Sequence, residues 1–553
     1  MLKRPAFLVL CLALFVQPIF GGVSTYASRS NEASETATPT RVLILVIDAF
    51  RPDYIERFDM DSVEALRNRG THFPRAIVGH MASTTVVSHS VMTSGLFPKN
   101  MGWSNEVYRD VDNILGEGRG DYFVTSSLSC EQFEQLARAG GYPKLSDYID
   151  EVRGESKFVA IGQKTTATCP AAQPVDDNDI IITFSGRDFD CDGDGEPNWR
   201  GPTGANVPRY IAEPVCGRYY VNSDSELDYG TATTPPAWMY PLDGNRFVPG
   251  YDREHLGGDV WAADAAIEVV RNEPDWGGML VSLGDVDKVG HMWGPRDDGP
   301  TPTTDRQAHL PFAVRTADKQ IGRILDALEA KGLADETLVI LTTDHAIQQG
   351  VRFHGVNRPD RGNYNWYYGE DADESYLDPS PAIRPLIATG NVDFMYQDGH
   401  VAAWLHNRGL RAKRTAARVM RRLPDVVSAH YRQGRRYRLA WVGRNMTPAE
   451  RAWWRRHHDL VDTMAAPYGP DVVGLLRDDT TYGVAGDHGG HQREIQRIPI
   501  ILAGPGVARG RAPHVEARLV DLLPTALDLL GVEPESRLDG DVLPVRGARL
   551  ERR

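Results

Sequence analysis

"RVLILVID" (residues 41–48) is an unbroken aliphatic run that ends in an aspartate. A strand with one wet face alternates apolar and polar residues. This run does not alternate, so it fits a strand buried on both faces, as strands inside a parallel sheet are. Similar runs recur at "MLVSL" (279–283), "LVILTTD" (338–344) and "IPIILAG" (498–504). Helical patterns lie between them, over 259–272 and 312–332. Strands alternating with helices predict an α/β fold, a mostly parallel central sheet sandwiched by helices and joined by right-handed crossovers.

Upstream of the first run, residues 28–40 are polar and read as a disordered leader. Before them, Lys3 and Arg4 precede an apolar run too short to span a bilayer, followed by small residues. This predicts a signal peptide over residues 1–27, cleaved near Ala27, and a secreted or periplasmic product with no membrane span after cleavage. An uncleaved anchor is the competing reading. Cys11 follows Leu10, where a lipid-modified cysteine would want a small residue. The remaining cysteines, Cys130, Cys169, Cys191 and Cys216, are clustered and are not spaced as zinc thiolate pairs. In an exported chain they predict two disulfides, with three connectivities open.

Two stretches break the strand–helix rhythm. Residues 165–256 are rich in Gly, Pro, Asp and Cys, and 351–480 carry a strand–helix–strand pattern of their own. The predicted core is therefore 41–350 with 481–545, and 351–480 is an inserted α+β cap. The 553 residues carry a net charge of −14, which disfavours a general nucleic-acid binder. Oligomeric state leaves no mark in the sequence.

Metal-ligating residue types sit at the ends of the core strands. Asp48 closes the first, and Asp287 and His291 follow the second in "DKVGHMWGP". Asp344 and His345 close the third in "TTDHA", and His488 lies in "GDHGGHQ" before the last. Ligands of open α/β sheets collect outside the carboxyl ends of strands, so these side chains could converge. Three aspartates and three histidines suit two divalent ions, zinc above all. Each piece alone reads as a turn or surface loop; their order along the chain gives the signal.

That order, Asp, then Thr-x-x-x-His, Asp-x-x-Gly-His, Asp-His and His-Gly, resembles the alkaline phosphatase superfamily. The branch it resembles is that of type I phosphodiesterases/nucleotide pyrophosphatases and threonine-type alkaline phosphatases. The resemblance covers roughly 41–165, 257–350 and 481–545. It implies that Thr85, four residues before His89, is the nucleophile, with Thr84 one residue out of register. It implies that Asp48, Thr85, Asp344 and His345 surround one metal, and that Asp287, His291 and His488 hold the other. His491 is a decoy. Asn105 resembles the family asparagine that donates to a phosphoryl oxygen, and Lys164 a lysine that grips phosphate. Without the metal motifs, Thr84 and Thr85 would read simply as helix caps.

The implied activity is hydrolysis of small-molecule phosphoesters through a phosphothreonine, with nucleotides among the candidate substrates. "TVVSH" and "GDVDKVGH" depart from the diesterase pattern, and Thr166 stands where the monoesterases carry arginine. Monoester and diester both stay open. A phosphonate C–P hydrolase of the same superfamily is the alternative. A catalytically inactive secreted binding protein on this fold is the reading from another class. No cysteine or arginine lies in 76–108, which disfavours a sulfatase. Separately, Asp188, Asp190, Asp192 and Asp194 alternate like the start of a calcium loop, although Trp199 stands where an EF-hand needs glutamate.

Overall fold

Side chains of a strand point alternately to opposite faces, and the run at 42–47 uses both. Val42, Ile44 and Val46 belong to one buried cluster with Val86, Val87 and Leu522, while Leu43, Leu45 and Ile47 belong to another with Trp261, Val314 and Ile321. The sheet therefore has a hydrophobic core on each side. Full burial of each such aliphatic side chain contributes about 1.5–3 kcal/mol.

The computed structural model describes residues 37–546 apart from 117, 155, 173–177, 184–187, 190–198, 201–203, 213–218, 221–254, 257, 294–303, 356–366, 370–379 and 485. The expected signal peptide, Cys191, Cys216, Asp190, Asp192 and Asp194 lie outside the described residues, as does the expected leader up to residue 36. Asp188 falls in a two-residue strand whose backbone alone is described.

In chain order the sheet strands begin with β1 (Arg41–Ile47), β2 (Thr71–His72), β3 (Lys157–Gly162), β4 (Ile180–Thr183), β5 (Trp276–Leu283) and β6 (Thr337–Thr342). A second sheet follows: β7 (Tyr367–Gly369), β8 (Val392–Gln397), β9 (His400–Leu405), β10 (Val426–Gln433), β11 (Arg436–Val442) and β12 (Val472–Leu476). The chain then returns to the first sheet with β13 (Ile501–Ala503) and β14 (Gly510–Arg511). The first sheet has eight strands in the order β14–β2–β13–β6–β1–β5–β3–β4. From β6 to β4 all neighbours are parallel.

The run "IPIILAG" does not extend that parallel set. Within it β13 pairs antiparallel with β6. The reason is positional: its N-terminal end lies at the edge where the parallel strands end, so the preceding loop, with His488, reaches that edge directly.

Helices cover both faces. Those that bear on the site are α1 (Thr85–Ser94), α2 (Cys130–Gly140), α3 (Thr165–Thr168), α4 (Gly258–Asn272), α5 (Asp285–Trp293) and α6 (Thr304–Lys331). The last begins eight residues before the predicted start at 312 and carries Pro311 inside it. A left-handed Gly95 (φ 64°) ends α1, a conformation that costs other residues a Cβ clash. A disulfide joins Cys130, at the start of α2, to Cys169, just beyond α3. Among the described residues no helix is long and apolar enough to cross a membrane.

The second sheet has the order β7–β8–β9–β12–β10–β11, with every pair antiparallel. Its β8–β9 turn meets the loop before β13: the Gly399 amide donates to the His488 carbonyl (2.6 Å), and Gln492 donates to the Gly399 carbonyl (2.7 Å).

Candidate active site

The carboxyl ends of four parallel strands supply the site. Asp48 follows β1, Lys164 follows β3, Asp287 lies in the first turn of α5 after β5, and Asp344 and His345 follow β6. Three groups of ligand atoms gather there, the atoms of each within 4.8 Å of one another: Asp48, Asp344 and His345; Asp287, His345 and His488; and His291, Asp487 and His488. All the metal ligands expected from sequence, except the threonine, thus fall in these groups. His491 falls in none of them; it is buried, and its carbonyl accepts from the Trp453 indole (2.6 Å).

Thr85 is the first residue of α1 and is 8% exposed. Its hydroxyl lies 3.4 Å from His345 Nε2. Thr84 occupies the N-cap position, yet makes no side-chain capping bond. The first amides of this ten-residue helix have no intrahelical acceptors, and such a helix start suits an anion. His89, one turn on, donates from Nδ1 to the Thr85 carbonyl (2.8 Å) and lies 3.8 Å from Asp344.

The charges are arranged around a shortage of cations. Burial, then Asp287 and Asp344, raises the Asp48 carboxyl to about 7; burial raises Asp344 to about 6 and Asp487 to about 7. Lys164 bridges the Asp48 and Asp287 carboxylates, at 2.6 Å from each. Burial works against its ammonium, but Asp287 and Asp48 outweigh that and hold it charged. Burial, then the neighbouring His345 and His291, holds the His488 imidazole far below its ordinary value and so neutral.

Two observations test whether these residues suit divalent cations. His291 donates from Nδ1 to the Gly486 carbonyl (2.6 Å), which leaves Nε2 as a lone-pair donor. That Nε2 lies 3.2 Å from His488 Nε2 and 3.2 Å from Asp287 Oδ1, so ring nitrogens and a carboxylate oxygen converge there. Asp48 Oδ1, Asp344 Oδ2 and His345 Nδ1 are also buried without a hydrogen-bond partner. Nitrogen and carboxylate donors in this mixture match zinc-type ions.

A family model for type I phosphodiesterase / nucleotide pyrophosphatase matches residues 42–117 and 189–434. The chain belongs to that family. The matched spans include Asp48, Thr85, Asn105, Asp287, His291, Asp344 and His345. Lys164 and His488 lie outside them. As a type I phosphodiesterase / nucleotide pyrophosphatase family protein, the chain is a metal-dependent phosphoric ester hydrolase. It is 22% identical over 537 residues to alkaline phosphatase PhoD of Zymomonas mobilis subsp. mobilis, spanning 92% of this chain and 88% of that protein. Among solved structures, wild-type alkaline phosphatase PafA is 15% identical, covers 92% of this chain and 98% of its own, and gives a TM-score of 0.58. Human ectonucleotide pyrophosphatase / phosphodiesterase 5 is 13% identical, with 91% and 97% covered and a TM-score of 0.50. Both likenesses concern the fold.

Asn105 is fully buried, and the carboxyl of the adjacent Glu106 lies beside Thr84 and Ser126. Burial, then Asp398, raises Glu106 to about 7. Sequence reasoning missed Asp487, Ser83 and His400. Asp487 had a signal: the Asp-His pair of 344–345 repeats at 487–488, and the two histidine rings stack at 3.7 Å between centroids. Ser83 staples the His488 loop to α1, donating to the Gly490 carbonyl (3.3 Å) and accepting from the Gly489 amide at its own carbonyl (3.1 Å). Nothing in the sequence flags it.

Proposed function

We propose that this chain is an exported phosphoester hydrolase working through a covalent phosphothreonine at Thr85 and two divalent ions, zinc being the pair its donors suit. The observation that carries the reading is Thr85 Oγ1 at 3.4 Å from His345 Nε2, at the amide-rich start of α1. Asp48, Asp344 and His345 would hold one ion next to Thr85; Asp287, His291 and His488, joined by Asp487, would hold the other. When bound, such ions lower the pKa of a hydroxyl or water and neutralise phosphoryl charge. The Thr85 oxygen attacks phosphorus, and the bond to the leaving group breaks. Water then hydrolyses the phosphothreonine, freeing Thr85 and phosphate or a phosphomonoester. The amides of α1, the Lys164 ammonium and the Asn105 amide hold phosphoryl oxygens in line during both steps.

The substrates are small phosphoesters, mono- and diesters alike; the names of the similar phosphatases and of the pyrophosphatase/phosphodiesterase support both. The segment 351–480 acts as a cap that shapes the leaving-group side. Export is supported by the charged and then apolar N-terminus and by the Cys130–Cys169 disulfide. The deciding experiment compares purified protein and Thr85→Ala on nitrophenyl phosphate, bis-nitrophenyl phosphate, a nucleotide nitrophenyl ester and phosphonoacetate. Turnover of the esters and its loss in the variant are expected. Release of acetate from phosphonoacetate in place of ester turnover would overturn the substrate class.

A further inference from the structure

Asn105, His400 and Asp398 are all fully buried and form one hydrogen-bonded chain. It begins at the Glu106 amide, which donates to Asn105 Oδ1 (2.9 Å) and so fixes which way the Asn105 amide faces. Asn105 Nδ2 then faces His400 Nε2 at 3.3 Å. An amide nitrogen can only donate, so that ring nitrogen must be the unprotonated acceptor. On the other side of the ring, His400 Nδ1 lies 2.7 Å from Asp398 Oδ1 and is hydrogen-bonded to the Gly489 carbonyl. Two acceptors there demand the proton on Nδ1. Asp398 is itself fixed, accepting from the His400 amide at 2.9 Å. Gly489 permits the approach: at φ +76° it is left-handed, and a Cβ there would stand 1.6 Å from Asp398 Oδ2.

Counting the Asn105 amide's hydrogen-bonding capacity shows what the chain achieves. The oxygen is held by Glu106 and one N–H by His400, which leaves the second N–H for a ligand. We propose that His400, locked as its Nδ1–H tautomer by Asp398 and Gly489, is a positioning residue that aims the free N–H of Asn105 at the phosphoryl oxygen. This rests on the reading of Asn105 as a phosphoryl-oxygen donor. It also gives the β8–β9 turn a part in the chemistry, since the turn's Asp398 holds the histidine that orients a side chain of the catalytic half.

Two substitutions separate positioning from mere structure. His400→Asn keeps a polar group on the Asp398 and Gly489 side but is too short to reach Asn105. His400→Gln extends an amide oxygen to where Nε2 stood. With metal-loaded full-length enzyme and nitrophenyl phosphate, His400→Asn is expected to lose about 10- to 100-fold in kcat/KM, the scale of a misplaced contact group. His400→Gln recovers most of that loss. In an Asn105→Ala background the two differ from each other, and from Asn105→Ala itself, by less than about 3-fold, because a residue acting through Asn105 has nothing left to position. Equal rates for the Gln and Asn variants would overturn the inference. So would a His400→Asn loss that persists undiminished in the Asn105→Ala background. Parental turnover by Asn105→Ala would sink the role of Asn105, and this inference with it, while Thr85→Ala still tests the nucleophile separately.

Discussion

Thr85 Oγ1 lies 3.4 Å from Nε2 of His345, one of the two histidines that each belong to two of the three ligand groups. The hydroxyl therefore sits beside a donor that two of the groups share. Thr85→Ala should lose at least about 10³-fold in kcat, since only positioning and charge stabilisation remain, while metal content stays at the parental level. Acid-quenched parent enzyme mixed with substrate should carry phosphate on the peptide that contains Thr85, and the variant should not. Label on another residue would relocate the nucleophile.

Asp487 pairs with His291 and His488 in a ligand group, so Asp487→Asn should bind one ion less tightly than the parent. The expected loss is roughly 10- to 100-fold in metal affinity, the usual scale for an oriented ligand or its immediate partner. Metal titration followed by elemental analysis reads it. Unchanged stoichiometry and affinity would reduce Asp487 to a structural carboxylate bonded to the Val484 and His488 amides.

Removing metal should cost stability as well as activity. Asp48, Asp344 and Asp487 are buried and each pushed up by burial, and bound cations relieve that strain on their charged forms. At free metal about 100-fold above the dissociation constant, the linked stabilisation is about 2.7 kcal/mol. A chelator should lower the unfolding midpoint and zinc should restore it. Identical midpoints with and without chelator would contradict the metal assignment.

Lys164→Ala removes the ammonium that bridges Asp48 and Asp287. A charge-assisted contact contributes about 1.5–3 kcal/mol, so kcat/KM should fall by about 10- to 100-fold. Nitrophenyl phosphate should suffer more than bis-nitrophenyl phosphate, because a dianion draws more on the cation. Equal losses on both esters would place Lys164 in the scaffold.

His430, on β10, is 2% exposed, and neither ring nitrogen has a hydrogen-bond partner. Burial, then the neighbouring His458, pushes it down to about 3. Unfolded histidine titrates near 6.5. Between about pH 6.5 and 3 the unfolded chain therefore holds a proton that the folded chain refuses, and stability falls as pH falls through that window. Above it His430 contributes no pH dependence. The slope is about 1.4 kcal/mol per pH unit for one such group. Urea midpoints taken from pH 7 to pH 5 should fall less steeply in His430→Leu than in the parent; parallel curves would refute the assignment.

The legible parts of the sequence were those set by local pattern. Aliphatic runs such as 42–47 declare a doubly buried strand, and Asp48, Asp344 and His345 follow such runs directly. Strand direction was not legible: "IPIILAG" resembles the parallel runs in composition, yet β13 within it pairs antiparallel with β6. Asp487 was within reach, as half of a repeated Asp-His pair. His400 was not. Its partner Asn105 stands 295 residues away, and a histidine opening a hydrophobic strand has no local mark of a distant amide.

The ligand groups draw on Asp48 near one end of the chain and on Asp487 and His488 some 440 residues later. A ribosome thus adds more than 430 residues between the first donor and the last. Until then a nascent chain holds a partial set, unable to close around its ions. Activity that needs the full set would in this way have to await the synthesis of Asp487 and His488.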